Sequence, residues 1–465
     1  MSYKWTADAV DRISSASMAD AVEYMQKYPW MLSYDNVQIP FRVFSQRVDN
    51  LGEFGNGTAA TIFIQPSALP LSPGANHHLQ RQRAEGHQNP LTPLDIMDLS
   101  FQAEPHLQKQ SAYFILRFLL ESPEFNWKTY SGRDSSCLAP PPARHSLPHG
   151  KDHVTLQYLL GTVDIPEAAY EDHSHLIKEW LKQVGIDTDE KYQDLGLHKV
   201  IPIIGDQLTV DRLQGLFTFR AEDFNSFDRY DWFLALFGWF HLEMAFGKSL
   251  HKQYLGSSKG RGLKHAFELL QRKGLHTTST KGPFHHHLSE AIYHVAEAHW
   301  RAEWLAISPT NDLKDFHEME PEELISLASQ LQQDCASAEA LMHLTNCPIE
   351  GQDDDRRQTI MWNRDSLSYI TLAEAIKHGD VGTMEDMLPT LLFRFIGGQS
   401  SNYTYEVLEL LQGLHREWPA EICDHVRQNC WLVNLTGKSN SFVPIDKVQE
   451  HNIKDFKVYI HFVCL

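Results

Sequence analysis

The sequence predicts an α/β protein, and three observations carry that reading. Runs rich in β-forming residues gather near the N-terminus, between residues 30 and 65. A short apolar run, "VIPII" at 200–204, stands alone between polar neighbours far downstream, as a buried strand does. From about 246 to 400 nearly every segment carries helical periodicity. The 465 residues suffice for the cores of two or three domains.

Taken in order, residues 1–29 read as an amphipathic helix without the apolar stretch of a signal peptide. Strands are expected near 30–36, 39–47 and 57–65, with "VDNLGEFGNG" as turn, so that a three-strand meander fills a first core part, 30–70. The Pro-, Gly- and His-rich "PSALPLSPGANHHLQRQRAEGHQNPLTP" suits a disordered surface loop. The helix "SAYFILRFLLES" and an irregular stretch ending in the helix "HSHLIKEWLKQVG" complete an excursion over 71–195. A second core part, 196–245, holds the strand that stops at Gly205-Asp206. It also holds "YDWFLALFGWFHLEMAFGKSL", either a strand running into a helix or one buried helix. A helical insertion over 246–365, a third core part over 366–420 and a mixed segment over 421–465 follow, with "CWLVNLTGKSNSFVPIDK" the most turn-like part.

Composition narrows the function classes. No apolar stretch approaches the ~20 residues of a membrane span. Six cysteines without a C-x-x-C pair suggest free thiols rather than a zinc ribbon or a disulfide framework. Together these predict an intracellular protein. The net charge of −19 means that any grip on nucleic acid must come from a local basic patch.

Two acids hold matching places. Asp35 lies in or at the end of the first strand, and Asp206 closes "VIPII". Carboxylates at the C-terminal ends of adjacent strands converge where open α/β sheets build their sites, and such a pair can hold hard divalent cations. The spacing serves equally well a turn before Pro40 in which Asp35 caps backbone donors. A third acid is expected on "NYTYEVLELLQGL", a helix that Asn402 can cap and whose apolar stripe is Tyr403, Val407, Leu410 and Leu414. Glu406 borders that stripe while Glu409 points away, though an ordinary flanking glutamate fits the pattern too. Asp380 and Glu450 are the substitutes if Glu406 is not the third acid.

An Asp in strand one, a strand ending in Asp and, much later, an acid on a helix resemble the RNase-H-like core of DDE/D transposases. More closely, "YDNVQIPFRVFSQRVDN", "IPIIGDQLTVDRL", "FGWFHLEMAF", "AIKHGDVG", "NYTYEVLELL" and "LVNLTGKSNSFVPIDKVQEHNIK" resemble a fungal family related to Kyakuja-Dileera-Zisupton transposases. The resemblance implies an RNase-H-like mixed sheet with large helical insertions. It also implies Asp35, Asp206 and Glu406 as catalytic and metal-binding acids for Mg²⁺ or Mn²⁺, and His241 as a supporting residue beside them. DNA as partner, strand cleavage or joining, a nuclear location and self-association belong to the same implication. A domesticated core kept as an inactive interaction scaffold is the alternative, because the chain is acidic and shows no evident DNA-binding module.

Two further segments invite a role. Lys259, Arg261, Lys264, Arg272 and Lys273 form the clearest basic segment and are the candidate nucleic-acid contacts, although solvated surface residues would look the same. In "FHHHLSEAIYHVAEAHWRAEW", His287, Glu290, His294, Glu297 and Arg301 share one helix stripe opposite the apolar face. That pattern predicts a solvated, ion-paired surface rather than a zinc site.

Overall fold

The computed structural model describes residues 3–41, 53–257, 259–260, 262–271, 285–348, 351, 353–398 and 400–463. A mixed five-stranded sheet organises it, formed by β1 (Trp30–Phe41), β2 (Glu53–Ile64), β3 (Leu156–Leu159), β4 (Ile201–Gly205) and β5 (Phe233–Phe237). Their order across the sheet is β3-β2-β1-β4-β5. β2 runs antiparallel to both its neighbours, whereas β1, β4 and β5 are mutually parallel. β2 is therefore the one strand of the five opposed to the rest.

Alternation of side chains sorts the strands onto two faces. Trp30, Leu32, Tyr34, Ile62, Ile201 and Ile203 pack on one side against Leu176, Ile177 and Trp180 of helix Tyr170–Gln183 and Leu213 of helix Gln207–Phe219. Met31, Phe63, Ile204, Leu234 and Leu236 face the other way, into a larger core with Trp239, Leu242 and Phe246, Tyr369 and Leu372, Leu391, Val407 and Val448. A third cluster lies away from the sheet. It joins Phe114 and Phe118 of helix Pro93–Leu120, Trp300 and Trp304 of helix His285–Ile307, and Leu324 and Leu331 of helix Pro321–Ala336. The helical insertion shares this interior with helix Pro93–Leu120, while its Leu250, Leu288 and Ile292 join the larger core beside the sheet.

Several boundaries differ from expectation. The first two expected strands are one, because β1 runs unbroken from Trp30 through Pro40 and pairs with β2 along its length; residues 42–47 lie outside the described residues. The third strand of the sheet is not part of an N-terminal meander but comes from the irregular excursion, as β3. The segment read as a disordered loop contains helix Ala75–His87, anchored by buried Ala75, Asn76 and Leu79. In "YDWFLALFGWFHLEM" the strand-then-helix alternative is the observed one, with β5, Gly238 and then helix Trp239–Tyr254.

Candidate functional site at the strand ends

Register places the two aspartates together. Leu32 lies beside Ile203 and Ser33 beside Ile204 on parallel strands. Two residues further, Asp35 is level with Asp206, whose backbone is still extended (φ −68°, ψ 176°). Neighbouring strands lie about 4.8 Å apart, and residues of equal parity point to one face. Both carboxylates therefore stand at the C-terminal edge of the sheet on the Met31 and Ile204 face. Asp35 is not in a turn: it pairs with Ala59 within β1. Asp206 is the N-cap of helix Gln207–Phe219, its Oδ1 accepting from Thr209 N at 2.8 Å.

The last helix, Ile445–Val463, crosses this face and brings two more acids. Gln449 fixes its position, accepting from Thr61 Oγ1 at 2.6 Å and donating to Ala59 O at 2.8 Å. One turn apart on the helix, Asp446 and Glu450 both reach His241. Asp446 Oδ2 accepts from His241 N and from its Nδ1, each at 2.9 Å, and Oδ1 accepts from Phe240 N at 3.2 Å. Glu450 Oε1 lies 3.6 Å from His241 Nε2. Asp446 thus caps helix Trp239–Tyr254 from a distant part of the chain. Its approach requires Gly238, where any Cβ would run into the Asp446 carboxylate.

The charges explain one another. Burial opposes a charged imidazole at His241, but hydrogen bonds to Asp446 and Glu450 and the negative charges of Asp446 and Asp206 outweigh it and push its pKa up to about 10. His241 is an imidazolium at neutral pH. Burial, then the charges of Glu450 and Asp206, push the Asp35 carboxyl up to about 7. Glu450 is held below the usual carboxylate range by His241 and also shares a hydrogen bond with Asp35.

A fifth acid approaches from the opposite face. Glu167, in the segment after β3, accepts from the Thr209 hydroxyl, its N–H donates to Asn36 Oδ1 at 2.9 Å, and its carbonyl accepts from Arg212 at 2.6 Å. It links the element bearing Asp35 to the element bearing Asp206. Burial pushes its carboxyl up to about 8, while burial brings nearby His173 down to about 4; Tyr34 hydrogen-bonds to His173 Nδ1 at 2.7 Å. Both Glu167 and His173 are therefore uncharged at neutral pH.

Glu406 meets the residue after Asp206 rather than Asp35, its carboxyl hydrogen-bonded to the side chains of Gln207 and Gln214. It is 2% exposed on helix Ser401–Gln412 and lines a cavity with Gln214 and Phe217. Burial first, then the charges of Asp211 and Glu409, push it up to about 8. The acids acting on Asp35 are Glu450 and Asp206, not Glu406. Nor does Asn402 cap this helix: Ser400 holds the N-cap position, and the Asn402 side chain donates to Gln207 Oε1 at 2.9 Å. Glu409 lines the same cavity as Glu406. Asp380 caps helix Val381–Asp386 through Thr383 N and accepts from Arg144 and His145, a structural task.

Of the basic segment, Lys259 and Lys264 are exposed, while Arg261, Arg272 and Lys273 lie outside the described residues. The histidine stripe is knitted by ion pairs, with His294 3.9 Å from Glu290 and 3.6 Å from Glu297, and Arg301 2.6 Å from Glu297. It lines a groove with Asp355 and Trp362. Among the described residues no group of three or more His, Cys, Asp or Glu is arranged to hold a metal ion, and no helix is long and apolar enough to cross a membrane.

The chain belongs to a family of unknown function, DUF6589, whose model matches residues 86–461. Asp206, His241, Asp446 and Glu450 fall within the matched stretch, whereas β1 with Asp35 precedes it. No curated protein and no solved structure matches the chain.

The sequence reading missed Glu167 and Asp446. Glu167 lies in an irregular segment that gives no periodic signal. Asp446 carried one: it and Glu450 are i,i+4 acids opening a helix straight after a turn.

Proposed function

We propose that the chain is an RNase-H-like, transposase-type core that cleaves or joins DNA strands, with Asp35, Asp206 and Glu450 as its acids. The observation that carries this reading is the level placement of Asp35 and Asp206 at the ends of adjacent parallel strands, in a sheet where β2 alone runs opposed. Glu450 takes the third place in preference to Glu406 because it touches Asp35.

The donor chemistry suits a hard dication, which would have to draw the three carboxylates together, since among the described residues they do not form a closed ligand cluster by themselves. The donors are all oxygen, and the carboxylate crowding that raises Asp35 is relieved by positive charge. Asp35, Asp206 and Glu450 would hold Mg²⁺ or Mn²⁺, which supplies activation of a water or 3′-hydroxyl and stabilisation of the departing oxygen in phosphodiester attack. His241, fixed by Asp446, orients Glu450 and offsets part of the negative charge that a phosphate must approach. Glu167 and Thr209 hold the two aspartate-bearing elements in register from the far side. DNA as partner, with Lys259 and Lys264 among its contacts, and a nuclear location follow from the same reading.

A second reading, a core retained as an interaction scaffold, is favoured by one observation: Glu450 is already engaged by His241 and Asp35. The deciding experiment is Mg²⁺- or Mn²⁺-dependent nicking and joining of labelled DNA by the wild type and by Asp35→Asn, Asp206→Asn and Glu450→Gln. Activity lost in all three variants supports the strand-cleaving core. A wild type inert with either ion, and without affinity for it, leaves the scaffold.

A further inference from the structure

Helix Ile445–Val463 brings Glu450 to the strand ends, and its faces divide sharply. Ile445, Asp446, Val448, Gln449 and Ile453 are buried. At about 100° per residue, Lys447 and Lys454 fall opposite that buried face, and Lys457 falls within about 20° of Glu450 on the flank. Lys454 is exposed, and Lys447 and Lys457 are half-buried. The three ammonium groups thus form a ridge about 15 Å long on the helix that carries the third acid.

The ridge faces the acid cluster. Lys447 lies over the Phe240 ring at 5.4 Å, and that ring packs edge-on against His241 at 5.4 Å. Glu450 is held below the usual carboxylate range first by His241 and, more weakly, by the charge of Lys457. Elsewhere lysines are neutralised in place, as Lys27 is by Glu23, Lys191 by Asp187 and Lys314 by Asp312. Among the described residues no ion pair engages Lys447, Lys454 or Lys457. The sequence offers Lys454 a partner one turn back, in Glu450, but that carboxylate turns to His241 and Asp35 instead. In a chain of net charge −19, this leaves unneutralised cations beside the acids at the sheet edge.

Resting on the reading of the strand ends as a phosphodiester site, we propose that Lys447, Lys454 and Lys457 are its phosphate track, the surface that holds the backbone of the DNA strand lying over Asp35 and Asp206. Lysine ammonium groups meet phosphates as point charges and carry no base readout, so the track grips DNA without regard to sequence. A straight ridge that bears charge but no pocket suits a backbone whose groups repeat, rather than a peptide recognised through distinct side chains.

The test is fluorescence anisotropy of a labelled DNA duplex of random sequence with the full chain in EDTA, over a series of salt concentrations. An Asp35→Asn background ensures that nothing is cut. Changing Lys447, Lys454 and Lys457 together to Gln should weaken binding at least about tenfold at low salt, and should flatten the slope of log K against log salt by about 2 to 3, near 0.9 per cation lost. Gln at Lys178, Lys182 and Lys191, on helices that pack against the other face of the sheet, removes the same charge and should leave the slope unchanged. Circular dichroism checks each fold, and Lys454→Glu, at an exposed position, should weaken binding alone and keeps the test decisive if the triple variant does not fold. No DNA binding by the parent at low salt overturns the proposal. So does a triple variant that keeps the parent's affinity and slope, or a loss that the Lys178, Lys182 and Lys191 variant matches. The two readings fail separately: a wild type that never cuts yet holds DNA through these lysines removes only strand cleavage, and cutting with an unchanged slope in the triple variant removes only the track.

Discussion

Two acid-bearing places adjoin helix Gln207–Phe219, and they surround their carboxylates with different partners. At the strand ends Asp35 is crowded by Asp206 and Glu450, with the imidazolium of His241 alongside. In the cavity Glu406 is buried near the amides of Gln207 and Gln214. Burial raises both carboxyls, so a raised pKa alone does not separate them. The neighbours do. Carboxylates raise both further, Glu450 and Asp206 at Asp35 and Asp211 and Glu409 at Glu406, but Asp35 has the cationic His241 beside it whereas Glu406 is met by the neutral amides of Gln207 and Gln214.

The sharpest way to break the strand-end cluster is to remove Asp446. Asp446→Ala leaves His241 without its closest charge partner and helix Trp239–Tyr254 without its cap. It should cost about 3–5 kcal/mol of stability by urea unfolding, the usual loss when one member of a buried ion pair is removed. Gly238→Ala should destabilise by the same route, whereas Glu406→Gln should cost little near pH 7.

Activity separates the two places next. Asp35→Asn and Asp206→Asn should reduce Mg²⁺-dependent strand cleavage by more than about 100-fold, since loss even of groups behind the metal ligands costs 10- to 100-fold. Glu406→Gln should stay close to wild type in the same assay. If Glu406→Gln is as inactive as Asp35→Asn, the third acid is Glu406 and the cluster drawn around Glu450 is wrong.

pH sharpens the comparison through folding. Glu406 and Glu167 have pKa values raised from 4.5 to about 8, so the folded state holds their protons more tightly than the unfolded state does. Their contribution to stability is full below pH 4.5 and declines as pH rises toward 8. His241, raised from 6.5 to about 10, contributes stability that is full below pH 6.5 and is lost as pH climbs through 10. Urea midpoints should therefore fall steadily between pH 5 and 9. Glu406→Gln should fall less steeply and exceed wild type at pH 9; a midpoint that rises over this range would contradict the burial of these groups.

The smallest effects come from local caps. Asp206→Ala removes the acceptor for Thr209 N and should cost about 1 kcal/mol by thermal unfolding. Glu409→Gln, which keeps an oxygen acceptor for the Tyr405 hydroxyl, should fall within about 0.5 kcal/mol of wild type.

Much of this was legible in the sequence where a pattern had length or a sharp end. "VIPII" closing on Gly-Asp marked β4 and Asp206, and the long helical periodicities marked the insertion. The four residues of β3 were not legible, being too short for alternation to register among irregular neighbours. On paper β1 broke at 37–38, as for a turn ahead of Pro40, yet the strand runs through and Pro40 sits near its far end, opposite Phe54. Helix Ala75–His87 was hidden by polar composition and by flanking Pro and Gly, although Leu79 is fully buried. Glu406 was correctly read as bordering the buried face of its helix. Which neighbour that face meets depends on packing across some two hundred residues, and no local pattern encodes it. The same limit kept Glu450 in reserve, for its place depends on the last helix returning to β1.

The central claim is that Asp35, Asp206 and Glu450 share a hard divalent cation. Calorimetric titration of Mn²⁺ into the full chain at pH 7.5 tests it directly. The account predicts saturable binding in the wild type and in Glu406→Gln that is lost in Asp35→Asn and Asp206→Asn and weakened in Glu450→Gln, with protons released as Asp35 ionises. Binding that survives Asp35→Asn, or that vanishes in Glu406→Gln while Glu450→Gln retains it, would contradict it.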